Sequence, residues 1–426
     1  MSRGEKISAR RPEQIVEQCI RREIPGGTQP LAPEEDLVES GAVDSMAWVS
    51  VIRCIEAASG DSDFGERMLD QPRSIQAMVA ALEHSDSMGA AGERAGSPAA
   101  SGVRGTAATV AGWGAAIGTQ RVSAAELERE FALKPGKIAK GAGIESVARA
   151  AEGEDEVTLA MQAAESALAA ASAGIGDVDC VIATSETHVA YPSLGARLHA
   201  QLLADDRTSV LDIGGACLGV INALAVAQQF IGSGRFGTVL IATADVHSRM
   251  LNAARVKGEF GALFGDGASA FVLRGAEGAH GDRYCVGDVT LGCDASAAAA
   301  IRIGLNEHNG LDLVFDGESL ARAAVGKLEQ LITDLELRTG IRISSAAGFA
   351  THQPNPRLVG VLAKQLGAPM EKFPPVARRY GNLGSSTCGV ALAQALASAG
   401  AAGRTAGPIF VASLGPGLLF GGTVLS

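Results

Sequence analysis

From residue 109 to the carboxyl end, short apolar β-rich stretches alternate with helical ones, and this alternation restricts the fold more than any other feature of the chain. Stretches 109–113, 179–184, 208–213, 239–244 and 267–273 read as strands, with helical patterns at 156–171, 193–203 and 218–231 between them. A similar order recurs over 311–315, 320–339, 347–351, 357–366, 387–398, 408–413 and 417–424. Strands joined by crossover helices imply an α/β fold, and the recurrence suggests a duplicated unit.

The pattern breaks off upstream. Residues 85–106, SDSMGAAGERAGSPAASGVRGT, have no periodicity and consist almost wholly of small, polar and charged residues. About 20 such residues form a flexible linker with an r.m.s. span on the order of 25 Å and a reach of roughly 65 Å. Before it, Ile15, Val16, Cys19, Ile20 and Ile24 share one helical stripe, Met46, Val49, Ile52 and Ile55 a second, and Ile75, Met78, Val79 and Leu82 a third. These stripes predict a bundle of three or four helices over 1–84. The expected order is therefore bundle 1–84, linker 85–106, and two α/β halves, 107–275 and 276–426.

Composition narrows the function classes. A net charge of −11, with no Lys/Arg cluster interleaved with aromatics, argues against nucleic acid. No apolar run reaches membrane-spanning length and residues 1–11 are polar, so a cytoplasmic protein without membrane contact is expected. Cysteines at 19, 54, 180, 217, 285, 293 and 388 form no C-x-x-C pair, which suggests reduced thiols and no metal site.

One cysteine stands out. Residues 211–220, LDIGGACLGV, read as a strand passing through a glycine turn into an apolar helix, with Cys217 at the turn. A thiol at the first turn of a helix meets unpaired N–H groups and the positive end of the dipole, so the thiolate is expected to be favoured. On this segment alone, a cysteine is more often a small core residue than a nucleophile.

Other segments supply a context. FATHQPNPR (349–357) resembles the H-Q-x-N-x-R histidine loop of the ketoacyl synthase III family, and YGNLGSS (380–386) resembles its G-N-x-x-x-S loop. FGDGASA (264–270) is similar to the family's F-G-D-G-A-x-A turn, SLGPGLLFG (413–421) to its glycine-rich terminal turn, and A-C-x-G surrounds Cys217. The motifs run in the family's order across 107–426. The resemblance implies a duplicated, five-layer thiolase-like α/β fold, a homodimer, and Cys217, His352 and Asn382 as catalytic residues. Asp266, between glycines, is expected to hold a turn rather than to react. In the implied chemistry Cys217 takes an acyl group from a thioester. His352 and Asn382, as neutral donors, then stabilise the enolate formed when a malonyl-type thioester loses carbon dioxide.

Two positions depart from the pattern. The middle residue of the terminal G-x-G turn, whose N–H is an oxyanion donor in the family, is Pro416, which has none. Either Gly415 or Gly417 must then supply the donor, or the hole is weaker by about 3–4 kcal/mol. Residues 133–146, LKPGKIAKGAGIES, lack the Trp and Arg that commonly stack on coenzyme A adenine in the family. Tyr191 resembles the family's aromatic that crosses the dimer interface to line the partner's acyl pocket.

Asp44-Ser45-Met46, at the start of the second helical stripe, resembles the D-S-L site of acyl carrier proteins. There the serine carries 4′-phosphopantetheine, which implies Ser45 as the attachment point and a phosphopantetheinyl transferase as a partner. A net charge of about −6 over the first 85 residues agrees with carriers, which meet basic enzyme surfaces. The expected protein is thus a carrier fused to a condensing synthase. It would join a Cys217-bound acyl group to a malonyl-type unit, on carrier or coenzyme A thioesters, in polyketide or fatty-acid-like biosynthesis. The rival readings are an acyltransferase acting on an oxygen, nitrogen or sulfur nucleophile, and a non-catalytic scaffold.

Overall fold

The structure, a computed structural model, describes residues 11–23, 32–38, 40, 43, 45–61, 64–68, 71–83, 106–276, 284–295, 300–305, 311–402 and 407–426. Asp44 and nearly all of the linker, 85–105, lie outside them. The chain divides into two compact units, Met1–Ser101 with Gly317–Arg322, and Gly102–Asp316 with Ala323–Ser426.

The first unit contains α1 (Pro12–Glu23), α2 (Ser45–Ser59), α3 (Phe64–Arg67) and α4 (Ile75–Glu83). Its core joins Val16, Cys19, Leu37, Trp48, Val51, Ile52, Ile55, Phe64 and Met78. Burial on α2 is broader than the stripe suggests because Trp48 and Val51 also turn inward. The Asp36 carboxylate accepts from the N–H groups of Val38 and Arg73, tying the acidic loop to the approach to α4. Cys19 and Cys54 are joined by a disulfide with their Cα atoms 5.5 Å apart, contrary to the expectation of reduced thiols. The two cysteines face each other from α1 and α2, a pairing between helices that leaves no short sequence signature.

The second unit starts with β1 (Ala108–Ile117), β2 (Gln120–Ser123), α5 (Ala124–Glu130), β3 (Ser146–Arg149), α6 (Glu156–Ala170) and β4 (Cys180–Thr184). It continues through α7 (Leu194–Gln201), β5 (Ser209–Asp212), α8 (Gly219–Gly232), β6 (Thr238–Val246), α9 (His247–Met250) and β7 (Asp266–Gly275). Then follow β8 (Thr290–Cys293), the hairpin β9 (Ile301–Leu305) and β10 (Leu311–Phe315), α10 (Gly317–Thr339), β11 (Gly348–Thr351) and α11 (Pro356–Gln365). The chain closes with α12 (Val376–Tyr380), α13 (Ser386–Ala402), β12 (Ile409–Gly415) and β13 (Leu419–Leu425).

Among the described residues the two larger sheets have the orders β1-β7-β6-β4-β5 and β11-β12-β13-β8, beside the two-stranded pairs β2-β3 and β9-β10. Read from its other edge, the second repeats the first four strands of the first. The pairs β4/β6 and β11/β12 are parallel, whereas β6/β7, β12/β13, β7/β1 and β13/β8 are antiparallel. This is the duplication anticipated from the alternating pattern. α8 and α13 lie between the sheets in one continuous apolar core. α6 and α7 cover the outer face of the first sheet, and Leu331 and Leu335 of α10 meet β13 at Gly422 on the outer face of the second. Five layers result.

The abundance of small residues has a packing consequence. A Cβ at Gly112 or Gly114 of β1 would stand 2.2 Å from the carbonyl oxygens of Ala167 and Ala163 on α6, so the alanine-rich helix rests directly on strand backbone.

Candidate active site

Where β5 ends, Gly215 (φ 131°) and Ala216 (φ 47°) turn the chain sharply into a 3₁₀ turn, Ala216–Leu218, that leads into α8. The left-handed Ala216 is a strained conformation for a residue with a Cβ, and it presents the next residue, Cys217. The turn is held from the other sheet, where Ser413 Oγ of β12 donates to the Cys217 carbonyl at 2.7 Å.

The same strand fixes the histidine. His352 follows β11, and its N–H donates to Ala412, the residue before Ser413, at 3.0 Å. The rest of its motif is bracing. Gln353 donates to the Pro374 carbonyl and accepts from Ala377 N–H, while Asn355 caps α11 by accepting from Leu358 N–H.

Asn382 is clamped by the F-G-D-G-A turn. Its N–H donates to Leu263 O and its carbonyl accepts from Gly265 N–H, each at 2.9 Å. Its side-chain oxygen accepts from Gly384 N–H and Thr387 Oγ1, both at 3.0 Å, which directs the amide so that the NH₂ is the group left to donate. Asp266 accepts from Ser248 N–H, Ser248 Oγ and Ala150 N–H, the turn-holding part expected of it.

The sequence reading missed three residues here: Glu186, Asp245 and His247. Glu186 follows β4, its N–H donating to Asp245 Oδ1 at 2.7 Å, and its carboxylate lies 3.9 Å from His247 Nε2. Asp245 also accepts from Ser185 and Ser385 hydroxyls, and His247 Nδ1 donates to Gly265 O at 3.3 Å. A Cβ at Gly384 (φ 58°) would fall 2.3 Å from His247 Cε1 and 2.6 Å from Glu186 Oε1, so the Asn382 loop closes directly over this pair. Ligand atoms of Glu186, Asp245 and His247 lie within 4.8 Å of one another. With both Asp245 oxygens taken up by donors, the trio reads as a charge network. The available signal was an acidic residue just past an apolar strand, in TSETH, and a histidine closing another, in ADVH.

The network sets the protonation states. Burial, then the charge of Glu186 and its hydrogen bonding, with Asp245 behind it, push the Cys217 thiol well above its ordinary range. Loss of water and the Glu186 carboxylate work against the stored thiolate expected from the helix terminus. Burial lowers His247, but the nearby Glu186 carboxylate, with the charges of Asp245 and Asp266, lifts it to about 9. Burial raises Glu186, yet hydrogen bonding and charge from His247, the Cys217 thiol and His352 together hold it below the usual carboxylate range. His352 drops to about 4 through burial, against Glu186 and with His247, and so stays neutral.

The family description 3-Oxoacyl-[acyl-carrier-protein (ACP)] synthase III matches residues 211–295, and its C-terminal counterpart matches 337–426. Beta-ketoacyl-[acyl-carrier-protein] synthase III of Rhodobacter capsulatus is 32% identical over 330 residues, covering 75% of this chain and 98% of its own. The chain belongs to the ketoacyl synthase III family. The crystal structure of 3-oxoacyl-[acyl-carrier-protein] synthase III from Aquifex aeolicus superposes with a TM-score of 0.67 at 26% identity, covering 75% of this chain and 99% of that one. The priming beta-ketosynthase of the R1128 polyketide pathway superposes at 0.69 and 24% identity, covering 77% and 98%. The second unit thus has the thiolase-like fold of condensing enzymes.

Within this synthase III framework the remaining expected residues fall as follows. A Cβ at Gly415 would lie 2.8 Å from Gly215 O and 3.5 Å from Leu218 N, so Gly415 packs on the Cys217 turn. Gly417 stands in the connection between β12 and β13, where its carbonyl accepts from Cys293 Sγ. Tyr191, between β4 and α7, is 96% exposed. The segment without the coenzyme A aromatic forms a π-helical turn, Lys137–Ala142, organised by Glu128, which accepts from the N–H groups of Gly136, Ile138 and Ala139. Ser45 is the first residue of α2. Among the described residues, no helix is long and apolar enough to cross a membrane.

Proposed function

We propose that this synthase III-family enzyme performs decarboxylative Claisen condensation, joining an acyl group on Cys217 to a malonyl-type thioester. The observation that carries the reading is the pair of neutral donors. His352, held uncharged by burial, and Asn382, its oxygen doubly occupied, are suited to an enolate and carry no competing charge. The Cys217 amide and Gly415 form the oxyanion hole, with Gly415 in place of the residue that is proline here.

One partner is carried by 4′-phosphopantetheine on Ser45 of the amino-terminal unit, loaded by a phosphopantetheinyl transferase. The helical unit, its acidic charge and the start of α2 at Ser45 support this. Carriage of both partners on one chain raises their effective concentration, to roughly millimolar in the favourable case, which lessens the need for a coenzyme A aromatic. The synthase unit pairs as a homodimer, with Tyr191 reaching the partner's acyl pocket; the exposed Tyr191 and the exposed apolar residues of the edge strand β5 favour this. The pathway class is polyketide or fatty-acid-like.

Intact-protein mass spectrometry of pantetheinylated wild type and of the Ser45→Ala and Cys217→Ala variants, with carbon dioxide release from malonyl thioester, tests the reading. Each variant should lose one acyl adduct, and carbon dioxide should depend on Asn382. Acylation of Cys217 without carbon dioxide release from any malonyl-type donor would favour acyl transfer to an oxygen, nitrogen or sulfur nucleophile. The Glu186 carboxylate beside the thiol, a group able to take a proton from such a nucleophile, is the observation that keeps this second reading open.

A further inference from the structure

The turn joining β12 to β13 bears on Cys217, yet the groups that shape it come from β8 and α10. It consists of Pro416, Gly417 and Leu418 and closes the strand pair at Gly415 and Leu419. Gly417 (φ 79°) and Leu418 (φ 49°) are both left-handed, and Leu418 is buried. Glycine takes that conformation freely. Leucine is strained in it and keeps it only where its surroundings impose it.

The surroundings that do so are specific. Asp294, just past β8, donates its N–H to the Leu418 carbonyl at 3.0 Å, and Cys293 Sγ donates to the Gly417 carbonyl at 3.6 Å. The Asp294 carboxylate is met by Lys327 Nζ of α10 at 3.1 Å, and the same ammonium lies 5.0 Å from the centre of the Phe420 ring. That ring lies over its cross-strand partner Gly292, where a Cβ would fall 2.2 Å from it. Lys327 thus engages both the residue tied to Leu418 and the aromatic two positions beyond. The side chains of Lys327 and Asp294 are 19% and 31% exposed, so their pairing is less screened than one on open surface.

From these contacts we propose that Lys327, paired with Asp294, is a positioning residue for the oxyanion hole. It acts through the terminal turn and not on the substrate. The clamp holds the Pro416-containing turn in the left-handed form that keeps Gly415 against the Cys217 turn, where a Cβ on Gly415 would stand 2.8 Å from Gly215 O. The inference rests on the condensing reading and its Gly415 donor, and names what fixes that donor. Such a donor is effective only when it is already aimed where charge develops, so a small displacement should cost rate more than substrate binding.

The test is single-turnover acylation of Cys217 in the full chain, followed by intact mass over a range of short-chain acyl-CoA and acyl-pantetheine concentrations. Lys327→Met keeps an unbranched apolar stem and loses the charge. Its maximal rate should fall about 10-fold while the half-saturating concentration stays within about twofold, the mark of an interaction felt only in the transition state. Lys327→Arg, which keeps the charge, should return to within about threefold of wild type. Asp294→Asn retains the N–H on Leu418 and removes only the carboxylate charge. It should lose as much as Lys327→Met, and the double variant should lose no more than either. Should Lys327→Met fail to fold, Asp294→Asn read against wild type decides the same question. Maximal rates within about twofold of wild type in the folded single variants, or losses that add in the double variant, would overturn the clamp and leave the condensing reading intact. A loss seen only as a higher half-saturating concentration would overturn it too. Wild-type protein that takes no acyl mass at Cys217 from any thioester would overturn both.

Discussion

At His352 the absence of charge matters as much as the position of the ring. A histidine lowered to about 4 remains a neutral donor across the physiological range, and its protonation removes enolate stabilisation only as pH approaches 4. His247 works in the opposite direction. Its folded value of about 9 lies above the ordinary one, so its contribution to stability is complete below about pH 6.5 and is lost as pH rises through 9. Condensation should therefore show a plateau from about pH 5 to 8, falling toward 4 and above 9, in a steady-state pH profile. An acid limb centred near 6.5 would mean that His352 is not held neutral by burial. Replacing His352 or Asn382 by alanine should lower carbon dioxide release by about 10²–10³-fold, the range for one lost oxyanion donor, while leaving Cys217 able to load. At this scale the sequence singles out Cys217, His352 and Asn382 because each sits in a compact motif. Glu186 and His247 were silent because their meaning depends on a contact across 61 positions of chain, and burial first, then the Glu186 charge, works against the thiolate expected at Cys217.

Elements place these residues by a few short anchors, and the anchors are where single changes should be felt. Gly384 is one. Alanine there must adopt a positive φ and put a methyl against His247 and Glu186, for which backbone strain and overpacking suggest about 2–5 kcal/mol of destabilisation. Thermal unfolding should show a lower midpoint for the synthase unit, and condensation should fall at least 10-fold because Asn382 moves with its loop. The terminal turn is a second anchor, and here little change is expected. If Gly415, already against the Cys217 turn, supplies the donor, Pro416→Ala should leave the acylation rate within about threefold. A gain of about 10²-fold would show instead that the wild-type hole lacks a donor at 416. The long alternating segments were legible in the sequence to within a few residues, since periodicity and burial agree there. β2, β3 and β9 were not, whereas the stretch 311–315 coincides with β10. Short strands are defined by partners rather than by pattern, and the π-helical turn at Lys137–Ala142 depends on Glu128, which the local sequence does not mark.

For the molecule as a whole, the proposed carrier role of Ser45 raises the question of which Cys217 it serves. β5 ends the first sheet as an exposed edge with apolar Val210 and Leu211 turned to solvent, a surface that a second copy would cover. Val210→Asp should accordingly shift the protein toward monomer in light scattering at micromolar concentration. About 20 residues can extend to at most roughly 65 Å, so chain length alone does not confine Ser45 to its own subunit. Co-expressed Ser45→Ala and Cys217→Ala chains should then complement. Random pairing makes half of the dimers mixed, and each mixed dimer has one intact cysteine and one intact carrier, so about a quarter of wild-type condensation is expected if a tethered carrier serves either site. Neither variant alone should condense carrier-bound substrate. Complementation that vanishes when Val210→Asp is added to both chains would tie the transfer to the dimer, whereas complementation that persists among monomers would show that carriers meet synthases through solution. Absence of any complementation, with mixed dimers verified by mass, would mean that each carrier delivers only to the Cys217 of its own chain.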